Sequence, residues 1–158
     1  MPALYEDTLL AARTLLDGDK VGGFARRRAV SSAYYALFQR LCALVAGCMS
    51  RADVDSSEYR RAFRVLDHRQ CREYLNRNAE FKTDLGVPFA ELQDIRQWAD
   101  YSIASHPDDL VARSGSIFPL AEAESYYRKA SAAIAFVGSL ELARQIRLMV
   151  TLVIRDRP

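Results

Sequence analysis

The side chains best suited to chemistry lie on one predicted helix, residues 88–103. Asp100 and Tyr101 follow Arg96 there by four and five residues. On a helical wheel Arg96 falls on the apolar stripe that contains Leu92, and Asp100 falls at the edge of that stripe. A guanidinium that faces a core is costly unless a carboxylate receives it, and Asp100 has helix-neighbour spacing. We therefore expect a partly buried Arg96–Asp100 ion pair.

Such a pair has two interpretations. It can clamp this helix to the second helix through Tyr34 or Ser31, or it can leave Arg96 in a polar cleft that receives a phosphate. The wheel places Trp98 and Tyr101 on the far side of the helix. Two large aromatic residues there predict a second buried surface, which is either intramolecular or a dimer face.

The chain has two histidines, and both are candidates for contact with a phosphate-bearing ligand. His68 lies among arginines in the predicted third helix. His106 lies ten residues after Arg96, beyond the predicted end of that helix. Because neither histidine is accompanied by clustered cysteines, the sequence predicts no metal site and no cofactor.

Arginines are concentrated in two segments. The first holds Arg26, Arg27 and Arg28, and the second holds Arg60, Arg61, Arg64, Arg69, Arg72 and Arg77. Basic residues at this density can meet phosphates, although they also fit solvated helix faces. The net charge of +2 is too small to argue for nucleic acid by itself.

Length and composition predict one ordinary globular domain over residues 1–158. The chain is 50% hydrophobic and 27% charged. Its three cysteines lack a C-x-x-C spacing, which indicates free, largely buried thiols in a reducing compartment. The N-terminus has no basic leader, and no apolar run approaches the roughly 20 residues of a membrane span. We expect a cytoplasmic protein without a membrane partner.

Hydrophobic periodicity predicts an all-α fold, an antiparallel up-and-down bundle of four to five helices. The second helix should be central, because its apolar positions cover two sides. The first predicted helix covers residues 4–16, and the second carries the apolar stripe from Val30 to Cys48. The third covers about residues 58–77 and the fourth residues 88–103. A long C-terminal helical pattern starts at Pro119, reaches Gly138 and resumes from Leu142 to Val153.

Residues 139–158 form an apolar C-terminal extension. The segment from Leu148 to Ile154 is apolar except for Thr151 and suits a buried strand by composition. An all-helical chain offers no strand to pair with it. We expect instead a helix whose outer face meets a partner, most simply a second copy of the chain.

Two segments together resemble the HEPN-domain superfamily. Residues 28–38, RAVSSAYYALF, resemble its second-helix signature, in which small residues and paired tyrosines precede an aromatic residue. Residues 92–101, LQDIRQWADY, resemble a later helix of the prokaryotic subgroup with an Arg-x-x-Ala-Asp-Tyr motif. The resemblance covers about residues 20–138 and includes the intervening basic helix and the closing segment SYYRKASAAIAFV.

The resemblance implies a helical bundle that usually dimerises and works in prokaryotic defence, toxin–antitoxin or RNA-processing systems. Many members are metal-independent ribonucleases in which a histidine follows the arginine by four to six residues. Histidine moves protons near neutral pH, and arginine stabilises phosphate charge. This chain departs from that pattern, because Asp100 and Tyr101 occupy the histidine positions and Ser32 replaces the arginine that commonly precedes Ala-Tyr-Tyr.

Three functions stay open from the sequence. The first is a dimeric HEPN-like component of a defence or toxin–antitoxin pair, beside a nucleotidyltransferase-type antitoxin, that binds RNA or a nucleotide without strong catalysis of its own. The second is a metal-independent endoribonuclease with Arg96, Asp100 and Tyr101 as catalytic residues. The third is a purely structural interaction module. For either of the first two, the ligand-binding residues would be Arg28, Ser31, Tyr34, Tyr35, His68 and His106.

Overall fold

Helices make up all the regular structure in the part of the chain that the computed structural model describes, residues 3–17, 23–50, 53–101 and 119–154. This confirms the all-α class. The elements are α1 Leu4–Leu16, α2 Gly23–Ser50, α3 Ser57–Phe63, α4 His68–Arg77, a π-helical turn Lys82–Gly86, α5 Val87–Tyr101, α6 Leu120–Ser139 and α7 Leu142–Val153. Within those ranges there are seven α-helices, more than the four to five predicted.

The long helix α2 is the centre of the bundle. It contacts α1, α3, α5, α6 and α7. Tyr34, Leu37, Leu41 and Val45 are at most 1% exposed and belong to the main hydrophobic core. Full burial of each such side chain contributes roughly 1.5–3 kcal/mol, so α2 supplies much of the stability that holds the other helices in place. The predicted central position of this helix is confirmed.

Among the described residues, α2 is also the one helix long and apolar enough to cross a membrane, judged by length and composition alone. Its most apolar 18-residue window has a mean hydropathy of 1.2, and 67% of that window is buried inside the bundle. The core helix of a soluble protein has the same features. The observation is therefore weak evidence for a span, and the expected absence of a membrane partner stays a prediction.

The predicted third helix is divided into α3 and α4. After α3 ends, Asp67 adopts an extended backbone, and its carboxylate accepts hydrogen bonds from the backbone N–H groups of Arg69 and Gln70. An aspartate in this position satisfies donors that a new helix leaves unpaired, so it favours a helix start at His68. The prediction of one continuous helix over residues 58–77 was wrong for this reason.

The C-terminal pattern also divides. Leu140 and Glu141 adopt extended backbone conformations between α6 and α7, so a single long C-terminal helix is not formed. The interruption after Gly138 and the restart at Leu142 agree with the sequence pattern. Leu148 and Leu152 of α7 are buried against the main core. The prediction of a helix rather than a strand in this segment is confirmed.

Residues 78–87, which lie between two of the predicted helices, contain regular structure that the sequence did not predict. The end of this segment is the π-helical turn, which leads directly into α5 at Val87. The turn packs tightly on α4: a Cβ added to Gly86 would lie 2.7 Å from the backbone oxygen of Leu75. Only a glycine allows this close approach, which fixes the position of α5 relative to α4.

The three cysteines are free, as predicted. Cys42 and Cys71 are buried, and Cys48 is partly buried. Burial raises the pKa of the Cys42 thiol to about 12 and also raises the pKa values of Cys48 and Cys71. All three are therefore protonated thiols at neutral pH and poor nucleophiles.

Candidate functional site

The guanidinium of Arg96 lies where α2, α4 and α5 meet. Its side chain is 20% exposed, and that of Asp100 is 13% exposed. Arg96 Nε lies 2.9 Å from Asp100 Oδ2, one helical turn further along α5. The predicted partly buried ion pair is therefore confirmed. The pair lies at the edge of the core, where α5 turns from buried residues such as Leu92 towards solvent.

Three tyrosine rings surround this guanidinium. Arg96 Nη2 donates a hydrogen bond to the Tyr35 hydroxyl and lies 3.5 Å from the Tyr101 hydroxyl. The Arg96 Cζ atom lies 5.1 Å from the ring centroid of Tyr35, 5.3 Å from that of Tyr101 and 5.9 Å from that of Tyr34. These are cation–π distances. The clamp between α5 and α2 thus exists, but its hydrogen bond comes from Tyr35 and not from Tyr34 or Ser31, the two residues expected.

The placement of Tyr101 on the far side of the helix was wrong. Its backbone position is turned away from Arg96, but both side chains are long enough for the ring to reach the guanidinium at the end of α5. Tyr101 is 68% exposed, so it borders the site on the solvent side. Trp98 does point elsewhere: it packs on the small intramolecular core of Leu16, Ala29, Val30, Ile95 and Ala123, and Arg27 lies over its ring at 4.5 Å.

The Asp100 carboxylate is shared between two arginines. Arg28 Nη1 of α2 lies 3.7 Å from Asp100 Oδ1, on the other side from Arg96. The buried atoms Arg96 Nε and Asp100 Oδ1 have no hydrogen-bond partner among the described residues. The 2.9 Å contact of Nε with Oδ2 lacks hydrogen-bond geometry, and Oδ1 lies 3.7 Å from Arg28 Nη1. Two cations around one carboxylate leave a local positive charge. Unsatisfied buried polar atoms of this kind call for an explanation, such as a ligand.

His68 reaches the same cluster from α4. Its Nδ1 lies 2.7 Å from the hydroxyl of Tyr34, and its ring stacks on Phe38 with centroids 3.8 Å apart. The Tyr35 ring meets it edge-on at 6.2 Å. Because His68 is the first residue of α4, the Asp67 cap that starts this helix also fixes the position of the imidazole.

The surroundings set the protonation states of the cluster. Burial and the nearby Arg96 cation lower the pKa of His68, against an opposing effect of Asp67. Burial raises the pKa of Tyr34, which stays a neutral phenol. Burial opposes the charge of Arg96, but the hydrogen bond to Tyr35 and the charges nearby favour it more, so its pKa is raised. The site therefore combines a permanent cation with a neutral imidazole at pH 7.

This arrangement can do two things chemically. A cationic guanidinium held by tyrosines and open on one side can bind an anion such as a phosphate. A neutral imidazole can accept a proton. Asp100 is already shared between Arg96 and Arg28 and is poorly placed to act as a base.

The candidate binding residues divide into three groups. Arg28, Tyr34, Tyr35 and His68 are brought together around Arg96 or Asp100. Ser31 is 2% exposed and packed in the bundle, so it has no surface to offer a ligand. His106 lies outside the described residues.

Sequence reasoning missed Phe38 and Asp67, which hold His68 against α2. An aspartate directly before a histidine-led helical segment was the available signal for the cap. Nothing in the spacing of Phe38 along α2 distinguishes a residue that supports an imidazole from an ordinary core residue. Within the described ranges, no group of three or more His, Cys, Asp or Glu side chains could hold a metal ion.

Three arginines of the second arginine-rich segment line a shallow groove on α4, the helix that begins at His68. Arg69, Arg72 and Arg77 of α4 line a volume of about 470 Å³ together with Glu73, Asn76 and Ala90. Arg72 pairs with Asp94 of α5, and Arg77 lies 2.7 Å from Glu73. The groove therefore carries mixed charge with a positive excess, next in sequence to His68.

The sequence matches no protein-family model, no curated protein and no solved structure. Membership of the HEPN superfamily therefore stays a prediction that rests on the two motifs.

Proposed function

We propose that this chain is a HEPN-like domain that binds RNA or a nucleotide through Arg96, as one dimeric component of a cytoplasmic prokaryotic defence or toxin–antitoxin pair, and that it has no strong catalytic activity of its own. A nucleotidyltransferase-type antitoxin is the partner that the resemblance implies. The phosphate of the ligand meets the guanidinium of Arg96, while Tyr101 and Arg28 border the entrance.

One observation carries the proposal: a one-fifth exposed arginine is held among three tyrosines, beside a carboxylate that a second arginine shares. A guanidinium has five N–H donors. Arg96 Nη2 is directed at tyrosine hydroxyls and Nε faces Asp100, whereas Nη1 has no hydrogen-bond partner among the described residues. An arginine that is already ordered loses little entropy when a phosphate binds, which favours affinity.

The surroundings suit a nucleic acid more than a free inorganic anion. Tyr101 offers an exposed ring on which a base can stack, next to the phosphate-binding nitrogens. The basic groove of α4 extends the positive surface beyond His68. Base stacking combined with phosphate contacts is the usual way in which proteins bind single-stranded RNA.

Weak catalysis follows from the residues that surround Arg96 on α5. The phenol of Tyr101 is not an efficient general base. Asp100 is engaged by two arginines. A site of this composition binds and orients a phosphodiester but lacks an efficient proton carrier on its own helix.

A second candidate function, metal-independent RNA cleavage, is favoured by the position of His68. The fold brings a neutral imidazole to the tyrosine cluster of Arg96 from a separate helix. In that case His68 would accept the proton of a ribose 2′-hydroxyl, and Arg96 would stabilise the charge on the phosphate.

Incubation of the purified protein with single-stranded RNA tests both candidates. We expect the RNA to be bound and to stay intact, and we expect Arg96→Ala to weaken binding at least tenfold. Cutting by the wild type that is lost in His68→Gln, with binding retained, would replace the first candidate with the second. Absence of RNA and nucleotide binding in the wild type would reject both and leave a structural interaction module.

A further inference from the structure

A second concave site lies further along α2 than Tyr35, at Gln39 and Ala43. It is a groove of about 570 Å³ between the start of α1, the middle of α2 and the helix α3. Ligand sites of small molecules typically measure about 300–1,000 Å³. None of its lining residues belongs to the Arg96 cluster, so the two sites are separate.

Aromatic side chains form much of the wall of this groove. Tyr5 of α1 and Tyr59 and Phe63 of α3 all line it. Tyr59 and Phe63 are one helical turn apart, with ring centroids 6.2 Å from each other. At the rim, Leu4 and Val54 are 57% and 61% exposed, an unusual concentration of uncovered apolar surface. Such walls suit a flat, apolar ring system.

The charged side chains of the groove are predominantly basic. Arg60 and Arg64 line it and form no ion pair with a described residue, whereas Asp55 is the one acid among its lining residues. A third guanidinium is close by, because Arg40 lies 5.1 Å from the ring centroid of Tyr5. Unpaired arginines beside aromatic walls favour a ligand that is both planar and anionic.

We propose that this groove binds a nucleotide, with the base against Tyr59 and Phe63 and the phosphate against Arg60 and Arg64. The ligand is either a free mononucleotide or one nucleotide of an RNA strand, since both present the same chemistry. A stacked base would use the aromatic residues of the lining, and a phosphate would use its arginines, so one ligand accounts for both kinds of residue. The inference does not depend on the function of Arg96.

Calorimetric titration with adenosine monophosphate tests the proposal. Adenosine and inorganic phosphate, each titrated alone, should bind at least tenfold more weakly, because each lacks one half of the ligand. The double variant Arg60→Gln/Arg64→Gln should bind adenosine monophosphate at least tenfold more weakly than the wild type. Arg61→Gln is the matched control: it removes a cation from the same helix, outside the groove, and should change the affinity less than twofold.

Variants of the aromatic wall test the base-stacking half. Tyr59→Phe keeps the ring and should keep the affinity, whereas Tyr59→Leu removes the ring and should lower it several-fold. Circular dichroism of each variant checks that the helices are intact. Arg96→Ala should still bind adenosine monophosphate in the groove. The proposal for the groove can therefore be rejected independently of the proposal for the Arg96 site.

A single-stranded oligoribonucleotide separates the two sources of the ligand when it is titrated into Arg96→Ala and into Arg96→Ala combined with Arg60→Gln/Arg64→Gln, so that the Arg96 site does not contribute to the binding. Tighter binding of the oligonucleotide than of the monophosphate, with the same loss when Arg60→Gln/Arg64→Gln is added, identifies RNA as the ligand. Equal or weaker binding identifies the free nucleotide. The proposal is overturned if the wild type does not bind either molecule, or if binding is unchanged in both Arg60→Gln/Arg64→Gln and Tyr59→Leu.

Discussion

Arg96 owes its position to partners on two helices. Asp100 was predictable from a four-residue spacing on one helix, and the ion pair is present. Tyr35 was predictable only as a member of a motif, because its contact with Arg96 joins residues 61 positions apart in the chain. His68 was grouped with Tyr34 and Tyr35 as a candidate binding residue, but no spacing in the sequence predicted its direct contact with Tyr34. Spacing therefore predicts contacts within a helix, whereas contacts between helices depend on packing that spacing does not encode.

Removal of the carboxylate from the ion pair should destabilise the fold. We expect Asp100→Asn to lower the free energy of unfolding by about 1–2 kcal/mol, less than the ~3–5 kcal/mol of a fully buried pair because both side chains are partly exposed. Asp94→Asn is the control, since its pair with Arg72 is largely exposed and should cost at most about 1 kcal/mol. Urea unfolding measures both values. Equal effects would show that the Arg96 pair is an ordinary surface contact.

The lowered pKa of His68 makes stability depend on pH. The unfolded chain binds a proton at this residue more readily than the folded chain, so the contribution of His68 is fully present above about pH 6.5 and is lost as the pH falls towards its lowered pKa. Between pH 7.5 and 5.5 the wild type should therefore lose more free energy of unfolding than His68→Gln does. Parallel losses in the two proteins would contradict the burial of this imidazole.

Among the elements, α1 and α5 and the central position of α2 could be predicted from periodicity. The division between α3 and α4 could not be predicted from hydrophobic spacing, because Leu66 continues the apolar pattern across the break and only the Asp67 cap marks the start of α4. The π-helical turn is also absent from the pattern. It depends on a backbone approach at Gly86 that has no counterpart in hydrophobicity.

Two glycines, Gly86 of the π-helical turn and Gly47 of α2, should respond in opposite ways to alanine. In Gly86→Ala the new Cβ would meet the Leu75 backbone at 2.7 Å, which should cost about 1–3 kcal/mol of stability. At Gly47 of α2 an alanine Cβ would have no heavy atom within 4 Å other than those of its chain neighbours and the adjoining helix backbone, so Gly47→Ala should stabilise the protein by roughly 0.5–1 kcal/mol through helix propensity. Thermal unfolding compares them. A harmless Gly86→Ala would contradict the close packing of the turn on α4.

At the scale of the whole molecule, the sequence offered two apolar surfaces for a dimer, the face of Trp98 and the C-terminal extension. In the residues that the structure describes, only the second of these stays exposed. The Trp98 face is intramolecular. The apolar side chains that stay uncovered in the described part of the C-terminal extension form a stripe at four-residue spacing along α7 and the residue after it. The stripe consists of Leu142, Ile146, Val150 and Ile154, which are 39–69% exposed. The resemblance and this stripe together support a dimer, and neither identifies its geometry.

The dimer prediction is tested by sedimentation equilibrium at micromolar concentration. We expect a mass of about twice the 17.8 kDa of one chain. Ile146→Glu, in the middle of the stripe, should shift the protein to a monomer. Leu10→Glu on α1 is the control, because Leu10 is equally apolar and 65% exposed but lies outside the stripe. A monomeric wild type would reject the prediction, and a dimer that survives Ile146→Glu would place the interface elsewhere.

The affinity for a single-stranded oligoribonucleotide, measured for the wild type, Arg96→Ala and Arg128→Ala, tests the central claim most directly. Arg128 lies on α6 with a 68% exposed side chain, so its variant removes the same charge without touching the cluster of Arg96. The account predicts that Arg96→Ala weakens binding at least tenfold and that Arg128→Ala leaves it within twofold. Equal affinities of the wild type and a folded Arg96→Ala protein would contradict it.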